Sequence, residues 1–332
     1  MTMSDLNMPT LGNTDPTSPP AVEAVVVALR KYFSRNREMH CLLLVDPHPR
    51  ELPAPDKGKP SLLELSRITI PIGHDAFPAH QSPYLLELDP SAPQFGALLA
   101  DSVRVALADR RPEAIARGPG QRIGGWLATP APAQDVARHL ASHVLQTDDQ
   151  GVTCALRFYD SRALALLWPV LTLMQRETLL GPVKAWHALD AGALPKAYTG
   201  LYPAMHSELA LKPEQWAAIR RHGLVNRALA LHISATGRQP DAQTVEAAVA
   251  AAARAEHHRL ADRDDKLAFI GHALAWHPHF DTHPRVAQAL GEVSPEYFYT
   301  AAVSELSTDE IDEIRRGEWH GAQNNDGDRL PA

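Results

Sequence analysis

Cysteine is nearly missing from this chain: Cys41 and Cys154 are the two in 332 residues, each inside an apolar, strand-like run. Two thiols so placed make neither a disulfide framework nor a CxxC metal pair, and they read as buried, inert thiols of a reducing compartment. No apolar run approaches the ~18 residues that a membrane-spanning helix needs. The start, Met1 to Pro20, is polar and rich in Pro, Thr and Asn, without the basic stretch, apolar core and small-residue cleavage site of a signal peptide. These absences together predict a cytoplasmic protein. A basic surplus is missing too: 32 Lys and Arg face 39 Asp and Glu, a formal charge of −7 with a pI near 6.2. General nucleic-acid binding needs a cationic footprint to displace counterions, so that class is disfavoured. There is no Gly-x-Ser-x-Gly nucleophile elbow and no His-Glu-x-x-His. Gly118-Pro119-Gly120 and Gly124-Gly125 match neither a P-loop nor a dinucleotide fingerprint.

What is present is an ordinary globular balance, 45% apolar and 21% charged, with 28 prolines mostly placed between apolar runs. Residues 1–19 read as a disordered arm. A helix over 21–34 follows, striped by Val22, Val25, Val26 and Leu29. Cys41 to Val45 is apolar on both faces, which predicts a central strand. The Pro-rich stretch 47–60 reads as a loop with Lys57 and Lys59 exposed. Strands are expected at 68–72, 84–88, 123–128, 152–159 and 183–189. Helices are expected at 94–109, 135–145, from Asp160, and at 171–180. Strands alternating with helices over 20–190 predict an α+β or α/β lobe built on a mixed sheet. Residues 191–206 carry Gly, Pro and Tyr without periodicity and read as a linker. Residues 207–319 are helical in pattern, with an alanine-dense run at Ala247–Ala253 suited to close packing, and 320–332 read as a frayed tail.

The stretch Leu156-Arg157-Phe158-Tyr159-Asp160-Ser161-Arg162 has a mechanical reading. A strand ends in aromatics, and Asp160 caps the next helix by accepting from the amide of Arg162 or Ala163. Gly181 is placed to end the following helix and Pro182 to stop it, after which the chain re-enters the sheet through Trp186. The order Arg157-Phe158-Tyr159-Asp160-x-Arg162, a helix, then Gly181-Pro182 and a Trp-containing strand resembles the domain of the type VI secretion effector chaperones, long filed as a domain of unknown function. Leu43-Leu44-Val45-Asp46 is similar to that family's first strand, and Ser82-Pro83-Tyr84-Leu85-Leu86 to its second landmark. Asp265-Lys266-Leu267 through Phe280-Asp281-Thr282-His283-Pro284 is similar to a helical element often found after the domain. Ser161 stands where proline is common, and Pro47 where a small residue is usual. The resemblance implies a non-catalytic adaptor without cofactor. Its partners would be a cognate secreted effector, held through that effector's N-terminal region, and the spike trimer or its tip protein.

Other constellations have plainer readings. His272, His277, His279 and His283, with Asp281 among them, are competent metal ligands by type and motivate an alternative, a metal-dependent hydrolase. Their spacing argues against it: His272 and His277 lie about 140° apart around a helix, and Pro278 and Pro284 break the segment. No metal site is therefore expected, and a structural baseplate component is a third reading. The adjacent His257 and His258 point to different sides. Asp262, Asp264 and Asp265 read as a helix cap, and Arg157, Asp160 and Arg162 as an ion-pair group joining strand to helix. Trp168, Trp186 and Trp216 read as core or lobe-interface aromatics, any exposed one being a candidate partner anchor.

Overall fold

The structure is a computed structural model, and it describes residues 17–47, 50–54, 58, 60–75, 77–78, 80–118, 120–201 and 208–320. The expected arm before residue 17, Lys57 and Lys59, residues 202–206 of the expected linker, and the tail from 321 lie outside the described residues.

The head begins with α1 (Pro19–Arg35) and β1 (His40–Val45), then β2 (Arg67–Thr69) and β3 (Tyr84–Leu88). It continues through α2 (Phe95–Ala108), α3 (Pro112–Ala116), β4 (Ile123–Thr129), α4 (Ala133–Val144), β5 (Leu145–Thr147) and β6 (Thr153–Ala155). It closes with α5 (Ser161–Val170), α6 (Leu173–Leu180), β7 (Ala185–Leu189) and β8 (Pro195–Thr199). Six strands form one sheet in the order β2-β3-β1-β4-β7-β8, while β5 and β6 make a separate ribbon. The α+β class is as expected. Within the sheet, however, every pairing is antiparallel, so the parallel component of a mixed sheet is not found among the described strands.

Alternation along β1 explains why both faces are covered. Cys41, Leu43 and Val45 pack with Val25, Val26, Leu29 and Phe33 of α1 and with Leu98, Leu99 and Val103 of α2. Leu42 and Leu44 face the other way, onto Val136 and Leu140 of α4, Leu164 and Leu167 of α5, and Leu179 and Leu180 of α6. All five residues of Cys41–Val45 are at most 1% exposed, and each leucine so buried contributes about 1.5–3 kcal/mol.

Two expectations about the head are corrected. The alternation over 152–159 does not become one strand: only Thr153–Ala155 is extended, in the side ribbon, and a turn closes with the Asp160 amide donating to the Arg157 carbonyl. Tertiary burial draws Leu156, Phe158 and Tyr159 into the core beneath the sheet and overrides the period-2 pattern. The segment read as a linker contributes β8, because Tyr198 is buried against Trp168 and pairs with Trp186 across the sheet.

The tail comprises α7 (Pro213–Thr236), α8 (Ala242–His257), α9 (Arg263–Ala275), α10 (Pro284–Glu292), α11 (Tyr299–Ser304) and α12 (Thr308–Arg316). Ala248, Ala251, Ala252 and Ala255 form the inner stripe of α8, and their small side chains bring that helix close to Val225 and Leu229 of α7 and to Phe269, Ile270 and Ala273 of α9. Asp262 caps α9 by accepting from the amides of Asp264 and Asp265. Asp265 is itself buried, and its carboxylate accepts from the amides of Tyr299 and Thr300 at the start of α11. One acidic pair therefore organises two helix starts.

Candidate functional site

The residues that carried the sequence motif meet at one corner of the sheet, where β1 ends beside β4 and the turn before α5. The register between these strands slips between Leu44, paired with Gly125, and Val45, paired with Ile123, so Gly124 is the extra residue of a bulge. A side chain at Gly124 would collide with the Tyr159 carbonyl. Gly125 sits at φ 145°, where a Cβ would lie 2.5 Å from the His187 carbonyl oxygen. The glycine pair thus serves close backbone approach. The freed Gly124 carbonyl accepts from the Trp186 indole at 3.1 Å.

Charges close the corner. The Asp160 side chain caps α5, accepting from the Arg162 amide at 2.9 Å and from the Arg162 guanidinium at 3.1 and 2.7 Å. Asp46, buried at the end of β1, accepts from Arg157 at 2.9 Å. Asp109, at the end of α2, accepts from Arg50 at 2.8 Å and from both the side chain and the amide of Arg122. The expected group of Arg157, Asp160 and Arg162 is therefore divided: Asp160 holds Arg162, while Arg157 reaches across to β1. Burial pushes the Asp160 carboxyl up, but the charge and hydrogen bonds of Arg162 outweigh it and leave the pKa lowered. Burial also drives the Tyr159 phenol up to about 12. Arg110, 2% exposed, donates to Ser161 Oγ and the Leu189 carbonyl, both at 3.1 Å. Burial and the neighbouring Arg162 bring its pKa down to about 10, still charged at neutral pH. These carboxylates accept from arginines or helix amides, and the arrangement is a clamp that ties sheet to helices.

Gly181 ends α6 at φ 53°, its amide donating to the Glu177 carbonyl, as the sequence predicted. The Pro182 carbonyl accepts from the Thr129 hydroxyl at 2.9 Å. Among the tryptophans, Trp186 and Trp216 are at most 2% exposed and belong to the core, which removes both as surface anchors. Trp168 is half-buried, its ring tilted against that of Tyr198 at 5.0 Å, with the Arg176 guanidinium over its face.

The four tail histidines do not converge. The His272 ring stacks on Trp276 at 3.9 Å, and its Nδ1 pairs with the Tyr299 hydroxyl. Burial lowers its pKa to about 4. His277 and His279 lie near His320, and buried His283 lies 3.6 Å from Glu313. Asp281 is held by Arg254 and His258. Among the described residues no group of three or more His, Cys, Asp or Glu is placed to hold a metal ion.

The joint between head and tail escaped the sequence reading. Gln175 in α6 and Gln215 in α7 exchange amides: each donates to the other's oxygen, at 3.0 and 2.7 Å. Gln175 also donates to the Leu209 carbonyl and Gln215 to the Val170 carbonyl. Each oxygen additionally accepts from a backbone amide that starts its own helix, Thr172 for Gln175 and Lys212 for Gln215. Two helix starts thereby face each other through one satisfied, buried amide pair. Trp216 on one side and Leu166, packed into the tail core, on the other complete the joint. The signal available beforehand was the pair of Thr-x-x-Gln and Lys-x-x-Gln spacings; nothing local says that they meet.

An α+β head with this clamp, backed by a helical tail, defines the class to which comparison can be made. Residues 74–178, about a third of the chain, match the family model described as Domain of unknown function (DUF4123). The match runs from before β3 into α6 and includes Arg157, Phe158, Tyr159, Asp160 and Arg162. No curated protein and no solved structure matches the chain. Among the described residues, no helix is long and apolar enough to cross a membrane.

Proposed function

We propose that this chain is an adaptor of type VI secretion that binds a cognate effector polypeptide, through that effector's N-terminal region, and delivers it to the spike trimer or its tip. The observation that carries the reading is the family match over 74–178, which contains the Arg157–Arg162 corner on which the resemblance to effector chaperones rests. The geometry agrees with that role. The arginines and aspartates of the corner are occupied in holding secondary structure together, as a scaffold requires. In this reading the head, residues 20–199 once β8 is counted with its sheet, is the adaptor domain, 207–319 a second helical lobe, the chain works in the cytoplasm, and it carries no reaction centre or cofactor.

The test is co-purification of the tagged full chain from cells that also express a candidate effector and the spike protein. A complex that contains effector, and that recruits spike protein when effector is present, supports the proposal. Recovery of spike with no effector in the cell would point instead to a structural baseplate part. Failure to recover either would refute the adaptor reading.

A further inference from the structure

The free edge of the sheet at β8 offers a slot for one more strand. The Asp190 amide donates to the Leu194 carbonyl at the hairpin between β7 and β8, so the backbone groups of Leu194 turn toward β7. In an antiparallel ladder this direction alternates residue by residue. Lys196 and Tyr198, paired with Ala188 and Trp186, therefore also face inward, and Pro195, Ala197 and Thr199 face out. β8 is the last strand in the sheet order, and Pro195, Lys196, Ala197 and Thr199 are all exposed, so no described element covers that side. The outward row consists of the Pro195 carbonyl and the amides and carbonyls of Ala197 and Thr199. Proline costs the sheet nothing here because its missing donor would have faced solvent. The row has a defined end: the next outward amide, that of Leu201, already donates to the buried Glu177 carboxylate.

The flanks state what kind of strand fits. Leu194 and Leu201, 44% and 74% exposed, stand at the two ends of the row. Leu173, 47% exposed, lies one helical turn before Glu177 on the α6 face that meets the Leu201 end. The exposed charge on β8 is Lys196, whose ammonium lies over the Tyr198 ring, whereas the nearby acids are engaged, Glu177 with Leu201 and Asp190 with the Leu194 amide. The opposite sheet edge, β2, carries exposed Arg67, so joining two copies edge to edge would set cation against cation.

We infer that the β8 edge takes an extended segment of the cargo polypeptide, alternating apolar residues with carboxylates, as a seventh strand of the sheet. This rests on the adaptor reading for the identity of the cargo, while the slot itself is testable alone. The probe is a fluorescein-labelled nine-residue peptide of alternating valine and glutamate, titrated against the full chain by anisotropy, with a valine–lysine peptide as control. The expected result is saturable binding of the acidic peptide, at least about tenfold tighter than the control. Hydrogen exchange should slow at the amides of Ala197 and Thr199. Ala197→Pro, which deletes one outward donor, should weaken binding at least about tenfold, Ala197→Val should retain it, and Lys196→Glu should weaken it without removing any donor.

No binding, protection elsewhere than β8, or equal binding by Ala197→Pro and Ala197→Val overturns the slot. So does sedimentation showing that the free chain pairs with itself through β8. If Ala197→Pro is poorly folded by circular dichroism, Lys196→Glu and the exchange pattern decide. A cargo complex that survives Ala197→Pro sinks the slot and leaves the adaptor reading standing. Absence of any cargo complex with the unmodified chain sinks the adaptor reading, and the peptide titration still judges the slot.

Discussion

His187 gives the sharpest test of how the head is built. Its ring sits in the sheet 4.4 Å from the Tyr32 ring and 6.4 Å from that of Phe33, both on α1, and its Nε2 is buried without a partner. Burial lowers its pKa to about 4, against 6.5 for an ordinary histidine. The unfolded chain therefore binds the proton more readily than the folded one between those values. Stability from the neutral ring is fully present above about pH 6.5 and is lost as pH falls toward about 4. At pH 5 the difference amounts to about 2 kcal/mol from this one ring. His187→Phe keeps an aromatic body against α1 and removes the titration. Urea unfolding at pH 7 and pH 5 should show the unmodified chain losing about 2 kcal/mol more than the variant over that interval. His143, His222 and His272, also lowered to about 4 by burial, slope in the same direction in both proteins and cancel in the comparison. Parallel stability curves for the two proteins would refute the claim that the half-buried His187 ring is held neutral beneath α1.

Asp160→Ala removes the α5 cap and strands the Arg162 guanidinium, and should destabilise by about 3 kcal/mol in urea; Asp160→Asn, which can still cap, should fall between. Gln215→Leu removes both bonds of the amide pair together with those to the Val170 carbonyl and from the Lys212 amide, a loss of about 2–4 kcal/mol. The double change Gln175→Leu with Gln215→Leu should cost less than the sum of the singles in a mutant cycle, because the two mutual bonds are counted in each single but lost only once in the double. Gly124→Ala meets the Tyr159 carbonyl and should cost about 1–3 kcal/mol by the same assay, where an exposed glycine such as Gly73 tolerates alanine.

Local chemistry settled much of this protein before any tertiary contact was known. The apolar run Cys41–Val45 could be satisfied only as a strand buried on both faces, Asp160 and Asp262 had the side chain and position to cap, and Gly181 could adopt the positive φ that stops α6. Each rests on interactions within a few residues of chain, which a sequence states directly. Tertiary structure decided the rest, because it depends on groups far apart in the chain. The alternating 152–159 lost its strand to burial beneath the sheet, and 195–199 gained one because Tyr198 found Trp186 to pair with. Asp46 took Arg157 from a distance of 111 residues, and Gln175 met Gln215 across the joint of head and tail. Hydrogen bonding and burial reward whichever partner the fold delivers, and spacing along the chain carries no record of that choice.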